Sequence, residues 1–372
     1  MPTAPRLVAV AIDATPLLGV RTGVGESVAG FIEAVAAAPD LAIVGYGLSA
    51  NAGRSLPERL PASVTPGRRV PIPAAALLRA WARCNHPAAE VWTGPVDVVH
   101  GTNFVVPPSR KAARLVTVHD LASLRFPELC SPTSRRYPGL IRRAVEQGAS
   151  IHTVSKSMAD EVMEGFHVGA DRVHVIHNGL APLPPPRPHD ESRPPYILAI
   201  GTVEPRKGLP DLVAAFDRVA ESVPDVQLII AGPAGWGEDA LTAALRTARH
   251  VGRIHRIGWT EDRSSLIAGA QVLAYPSLYE GFGLPPLEAM SLGVPVVTTT
   301  AGAIPEVVGD AAVLVEPRDV SALAEGLLVA LRDSATRDRL ITAGSEQARR
   351  FTWPRAGEQL ARLYRTLAEA RR

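Results

Sequence analysis

Cysteine is almost missing from this sequence: Cys84 and Cys130 are the only two among 372 residues. Two cysteines cannot make a disulfide framework, and these stand at no metal-ligand spacing, so a reducing cytoplasm fits. Long hydrophobic runs are missing as well. The apolar stretch Leu7-Val8-Ala9-Val10-Ala11-Ile12, ahead of Asp13, is too short to span a bilayer and shows no cleavage-site pattern. It reads as a buried first strand. No segment is expected to cross a membrane, although peripheral contact with its inner face stays open. Neither charge is in excess: lysine plus arginine number 39 against 37 acids, a net charge of +2, which argues against nucleic acid as a partner. There is no Asp-x-Asp triplet, no Gly-x4-Gly-Lys-Ser/Thr loop and no His/Cys cluster at zinc spacing. Neutralising an anionic ligand would then fall to side-chain cations and helix dipoles, with no metal and no resident cofactor expected.

What is present is an ordinary globular composition, 46% apolar and 20% charged, at a length that suits two domains. Short apolar runs alternate with helical-period segments, the pattern of parallel sheets in an α/β fold. In the first half, strands are expected at 7–13, 41–46, 97–100, 114–119, 150–154 and 172–177. In Val24–Ala37 the residues Val28, Phe31, Ile32 and Val35 recur at helical spacing. Ser155 stands where an N-cap is wanted, ahead of Lys156–Phe166. Residues 182–195 are too rich in proline for a helix or an inner strand, and read as a linker. The alternation then restarts, with strands expected at 196–201, 226–231, 253–258, 271–275, 294–299 and 312–315. This gives an N-terminal Rossmann-like domain over 1–181, a linker over 182–195, a second Rossmann-like domain over 196–353 and a closing helix over 354–372. Open parallel sheets bind ligands beyond the carboxyl ends of their strands, so two such edges facing across an interdomain cleft would form one site.

The densest chemical signal is Tyr275-Pro276-Ser277-Leu278-Tyr279-Glu280-Gly281-Phe282-Gly283-Leu284-Pro285-Pro286-Leu287-Glu288. A strand ends, a glycine-spaced loop follows, and prolines open a helix. Gly281 and Gly283 let backbone amides approach a ligand closely, and the helix N-terminus favours a diphosphate. Glu280 and Glu288, with seven residues between them, can hold polyol groups at two ends of one ligand. A second strand-to-helix turn, Gly201-Thr202-Val203-Glu204-Pro205-Arg206-Lys207-Gly208, offers two cations to a leaving diphosphate. In the first half, Gly23-Val24-Gly25 follows strand one but lacks the third glycine of a dinucleotide fingerprint, since Val28 stands there. His119 and Asp120 end a further strand, as does His100; a lone histidine in such a place is more often structural. A helix cap explains Ser155, and a turn explains Asn178, as well as a ligand role does. Gly258-Trp259-Thr260-Glu261-Asp262 is the segment expected to read a base, through backbone groups.

The Glu-x7-Glu segment closely resembles the signature of glycosyltransferase family 4, and the likeness runs from Thr22 to the last helix. It implies a GT-B fold, with the segment after Phe351-Thr352-Trp353 crossing back to brace the N-terminal domain. It also implies metal-independent transfer from a nucleotide sugar with retention. By that resemblance Glu280 and His119 contact the transferred sugar, Glu288 holds the ribose, and Lys207 with Arg206 holds the donor phosphates. Gly23, Gly25, Asp120, Gly201, Thr202, Trp259, Gly281, Phe282, Gly283 and Leu284 complete the implied donor site. Many relatives carry arginine near Thr202, and Arg206 is the candidate to supply that charge. The strings Gly-Thr-Val-Glu-Pro-Arg-Lys and Leu-Tyr-Glu-Gly-Phe-Gly-Leu-Pro-Pro-Leu-Glu-Ala-Met are most similar to bacterial mannosyl- and rhamnosyltransferases of polysaccharide assembly. GDP-mannose is the favoured donor, ahead of dTDP-rhamnose or a UDP-hexose, with a glycan or lipid-linked acceptor. A nucleotide-sugar epimerase or hydrolase, and a non-catalytic nucleotide-sugar-binding protein, remain alternatives. The basic stretch Arg135, Arg136, Arg142 and Arg143 reads either as a solvated helix face or as an approach to an anionic bilayer.

Overall fold

The computed structural model describes residues 6–19, 23–49, 55–187 and 194–371. Arg21 and Thr22 before the Gly-x-Gly, and 188–193 of the proline-rich linker, lie outside the described residues. The chain divides into two units, Met1–Ala181 with Phe351–Arg372, and Pro182–Arg350.

The first unit holds a parallel sheet of β1 (Val8–Asp13), β2 (Leu41–Tyr46), β3 (Thr65–Pro66), β4 (Val98–Gly101), β5 (Ala113–Val118), β6 (Ser150–Thr153) and β7 (Val173–Val175). The strand order is β3-β2-β1-β4-β5-β6-β7. The chain builds outward from β1 in one direction, then returns and builds outward in the other, so the topology switches between β1 and β4. The central strands β4, β5 and β6 are buried throughout, which is why they read as continuous apolar runs. Ser155 caps the helix Lys156–Phe166 by accepting from the Met158 amide at 3.2 Å.

The second unit repeats the plan with β8 (Tyr196–Ile200), β9 (Gln227–Ala231), β10 (Ile254–Gly258), β11 (Val272–Tyr275), β12 (Val296–Thr299) and β13 (Val313–Val315). Its order β10-β9-β8-β11-β12-β13 places the switch between β8 and β11, which pair in parallel through Val272 with Ile197 and Leu273 with Leu198.

The return to the first unit comes at Phe351, a little before the 353/354 boundary expected from sequence. Backbone contacts draw it in early: the Leu180 amide donates to the Phe351 carbonyl at 3.0 Å. The Trp353 ring meets Phe31 edge-on at 5.0 Å. Gly30 is what lets the indole approach, since a Cβ there would lie 2.1 Å from the ring. The helix Trp353–Glu369 then buries Ala356, Leu360, Leu363 and Tyr364 on one face against Phe31, Ile32 and Val35, the spacing an amphipathic helix uses. Among the described residues no helix is long and apolar enough to cross a membrane.

A buried polar chain fastens this helix to the sheet. The His152 Nε2 lies 2.9 Å from the Ile176 carbonyl and must donate to it, so Nδ1 accepts from the Thr117 hydroxyl at 2.9 Å. Thr117 therefore accepts from His100 Nε2 at 2.7 Å, and His100 Nδ1 accepts from the Tyr364 hydroxyl at 2.7 Å. Every proton points one way, and both rings are neutral. Burial keeps them so, pulling His152 down to about 3 and His100 well below the ordinary histidine range. His100 thus belongs to the core. Tyr364→Phe strands the His100 acceptor, and we expect a loss of about 1–3 kcal/mol in urea unfolding; an unchanged stability would contradict the relay.

Candidate functional site

In the second unit the chemistry gathers at the topological switch, where open α/β sheets bind ligands. Past β8, Gly201 (φ +147°) and Gly208 (φ +62°) frame the turn Pro205–Lys207, and the helix Leu209–Ser222 follows. Past β11 comes the loop that leads to Glu280. The two turns lock together: the Leu278 amide donates to the Arg206 carbonyl at 2.7 Å. A Cβ on Gly208 would lie 2.1 Å from the Pro276 carbonyl, so only glycine permits this approach.

The lock brings three charges together. Lys207 Nζ donates to Glu280 Oε1 at 2.5 Å and to the Tyr275 hydroxyl at 2.8 Å. Arg206 reaches Glu280 Oε2 through Nη1 at 2.9 Å and Glu204 through Nε at 2.7 Å. Side-chain exposures of 20% for Arg206, 12% for Lys207 and 8% for Glu280 keep the cluster largely out of water, where such interactions are screened little. Burial alone would raise Glu280, but Arg206 and Lys207, helped by the Ser277 hydroxyl, hold it down at about 2. Burial and the neighbouring Arg206 pull Lys207 below the ordinary amine range, against the charge of Glu280. The three side chains are aligned with one another before any ligand arrives.

The glycine-spaced loop and its helix follow directly. Gly281, Phe282 and Gly283 are buried. Gly283 (φ +105°) starts the helix Leu284–Ser291, with Pro285 and Pro286 in its first turn. The helix begins at Leu284, one residue ahead of the prolines expected to open it, because the glycine supplies the turn into it. Glu288, on the buried side of that helix, pairs with Arg263 of the helix Arg263–Ala268. Sequence reasoning missed Arg263; its place one residue after the capping Asp262 was the available signal. It also missed Gly302 (φ +57°), where a Cβ would lie 2.3 Å from the Glu280 carbonyl that accepts from the Ala303 amide at 2.9 Å. Thr202 is half-buried beside Gly201. Trp259, at the end of β10, is 54% exposed.

In the first unit the switch lies between the ends of β1 and β4. His119, just past the neighbouring β5, is buried, its Nε2 donating to the carbonyl of Thr102 past β4 at 2.8 Å, which leaves Nδ1 as an acceptor. Burial lowers its pKa, so the ring is neutral. Thr102 in turn donates to the Asp13 carbonyl at 2.7 Å. Phe104, edge-on to His119 at 5.8 Å, is held at φ +60°, a conformation a non-glycine residue keeps only under local constraint. Asp13, which the sequence showed only as a strand end, is raised by burial to about 6 despite its bonds from Thr15. Asp120 accepts from the Ala122 amide at 3.1 Å. Gly23 and Gly25 sit inside the first turn of the helix Gly23–Ala36, which starts one residue ahead of the stretch expected from sequence. Asn178 accepts from Ser27 at 2.6 Å inside the core, so its side chain, like that of Ser155, has a structural partner.

Comparison with known proteins agrees with this geometry. Residues 186–347 match the family model described as Glycosyl transferases group 1, and 22–182 that of Glycosyltransferase Family 4. O-antigen chain mannosyltransferase B of Escherichia coli is 32% identical over 302 residues, 77% of this chain and 79% of that protein. MMP alpha-(1->4)-mannosyltransferase of Mycolicibacterium hassiacum is 32% identical over 299 residues, covering 73% and 71%. Sucrose-phosphate synthase of Thermosynechococcus elongatus superposes with a TM-score of 0.76 at 21% identity, over 98% of this chain and 100% of that one. Anabaena HepE, solved with UDP, gives 0.69 at 18%, over 97% and 100%. At such identities the structural likeness shows the fold alone, two Rossmann-like domains of the GT-B kind.

The depressed acidity of Glu280 has a measurable sign. A carboxyl held at about 2 instead of 4.5 adds stability that is complete above roughly pH 5 and is lost as pH falls toward 2. Glu280→Gln should flatten that acid limb of the denaturation midpoint plotted against pH. A limb of unchanged slope would show that Glu280 is not held by the two cations.

Proposed function

The chain belongs to glycosyltransferase family 4, and from that premise we propose that it moves a mannosyl unit from GDP-mannose to a glycan or lipid-linked acceptor, with retention and without a metal ion. The observation that carries this reading is the Lys207–Glu280–Arg206 cluster at the β8/β11 switch. A glycosyl diphosphate has hydroxyls and phosphate oxygens only a few bonds apart. A carboxylate for the sugar and two cations for the phosphate must therefore be neighbours, and here they touch. Mannose is favoured because the Escherichia coli and Mycolicibacterium hassiacum relatives, which match 77% and 73% of this chain at 32% identity, are named mannosyltransferases, whereas the glycogen synthases of Mycobacterium tuberculosis match 72% of it at 30%.

In this reading Lys207 and Arg206 stabilise the charge that grows on the departing diphosphate, and do so without reorganising. The acceptor hydroxyl attacks the anomeric carbon from the face the diphosphate leaves, and its proton passes to the leaving phosphate oxygen. Glu280 orients the sugar hydroxyls, and Glu288, steadied by Arg263, takes the ribose. His119 Nδ1 accepts from a sugar hydroxyl, the role the family resemblance gives it.

Calorimetry with GDP-, UDP-, dTDP- and ADP-sugars in EDTA tests the donor and the metal independence together. Selective binding of the GDP sugar is expected. Binding that requires a divalent ion would refute the metal-free mechanism, and free nucleotide released at full rate without acceptor would favour a hydrolase. Lys207→Ala should lower kcat by roughly 10²–10³ while changing donor affinity far less; unchanged turnover would remove Lys207 from the site.

A further inference from the structure

Away from this site, two helices distant in sequence line a groove of about 1230 Å³, part of it open solvent. On the helix Tyr137–Glu146, Ile141, Ala144 and Val145 are buried in the core. The opposite face presents Gly139, Arg142, Arg143 and Glu146 at helical spacing, with Arg136 just ahead of the helix. The helix Ala74–Trp81 buries Leu77 and Trp81 and turns Arg79 toward the same groove, joined by Arg83 just beyond its end. Five guanidiniums thus surround one groove whose floor includes Leu78, Ala82 and Leu140, with Glu146 the only acid among its lining residues.

The basic stretch in the sequence does not by itself show this, because Arg79 and Arg83 come from a segment more than fifty residues away. Nor does the whole stretch join in: Arg135 donates instead to the Cys130 carbonyl at 3.2 Å and is absent from the lining. Arg143 donates to Asn85 at 3.1 Å, whereas Arg79, Arg83, Arg136 and Arg142 are exposed and make no side-chain ion pair among the described residues. A solvated helix face normally interleaves acids with its bases; this one gathers bases from two helices around apolar side chains.

We propose that this groove docks the protein on an anionic lipid surface, the arginines taking lipid phosphates and Leu78, Ala82 and Leu140 facing the acyl boundary. Charge complementarity chooses the occupant. One soluble phosphate can engage one or two guanidiniums, whereas a sheet of phosphates engages all five, and arginine forks suit phosphate oxygens. The proposal is independent of the donor reading, since docking needs no transfer. If both hold, the acceptor is one presented at a membrane.

The full-length chain should co-sediment with phosphatidylcholine vesicles containing about one-third phosphatidylglycerol, but not with phosphatidylcholine alone, and high salt should release it. Replacing Arg79, Arg83, Arg136 and Arg142 together with Gln should weaken binding about a thousandfold without shifting the melting temperature. A control that removes the same charge from exposed positions elsewhere, Arg246, Arg339, Arg349 and Arg355 to Gln, should bind as the parent does. The proposal is overturned by equal loss in both variants, by absence of vesicle binding, or by inorganic pyrophosphate binding to the groove of a protein that ignores vesicles.

Discussion

A carboxylate gripped by two cations at the junction of β8 and β11 is the constraint around which the second unit is arranged. Ions held largely away from water are tolerable only as a set, because removing one leaves its partner uncompensated. Holding the set demands that two strand-end turns come closer than side chains normally allow. The glycines answer that demand: Gly208 against the Pro276 carbonyl and Gly302 against the Glu280 carbonyl. The backbone bond from Leu278 to Arg206 then fixes the register between the turns. The same closeness that costs the fold its freedom gives the site cations that are already in position.

The first unit handles buried polarity in the opposite way, by keeping it neutral. From Tyr364 through His100, Thr117 and His152 to the Ile176 carbonyl, each group donates to the next. A chain in which every donor and acceptor is used fixes one arrangement of the groups that form it. It links the C-terminal helix to β4, β5 and β6, so the returning segment is secured by direction as well as by apolar burial. His119 uses the same device at a strand end: one nitrogen is committed to the Thr102 carbonyl and the other is left as an acceptor.

The sequence made the α/β plan legible because buried parallel strands read as apolar runs, and the strand-end glycines and prolines mark where chains turn. Glu280, Lys207 and Arg206 were legible as separate motifs. Their mutual contact was not, because it depends on β8 and β11 being neighbours, a fact of strand order that no local pattern contains. Asp13 and Arg263 escaped for a related reason. A single acid ending a strand, or a single arginine opening a short helix, looks ordinary until burial or a partner makes it otherwise. The histidines divided likewise, since His100 and His119 both stand at the ends of apolar strands, and only their partners separate a core relay from an acceptor at a strand end.

Arginine dominates this chain so heavily that Lys111, Lys156 and Lys207 are the only lysines among 39 basic residues. Composition alone would make either cation acceptable anywhere, but the cluster distinguishes them. Arg206 uses separate nitrogens of one planar fork to reach Glu204 and Glu280. Lys207 sits between the Tyr275 hydroxyl and Glu280, with its Cε only 3.6 Å from where a Cβ on Gly201 would stand. There a compact ammonium places one charge between the phenol and carboxylate oxygens. The two adjacent cations are therefore different parts: one ties the turns and the acid together, and the other is a point charge, the form suited to a phosphate oxygen.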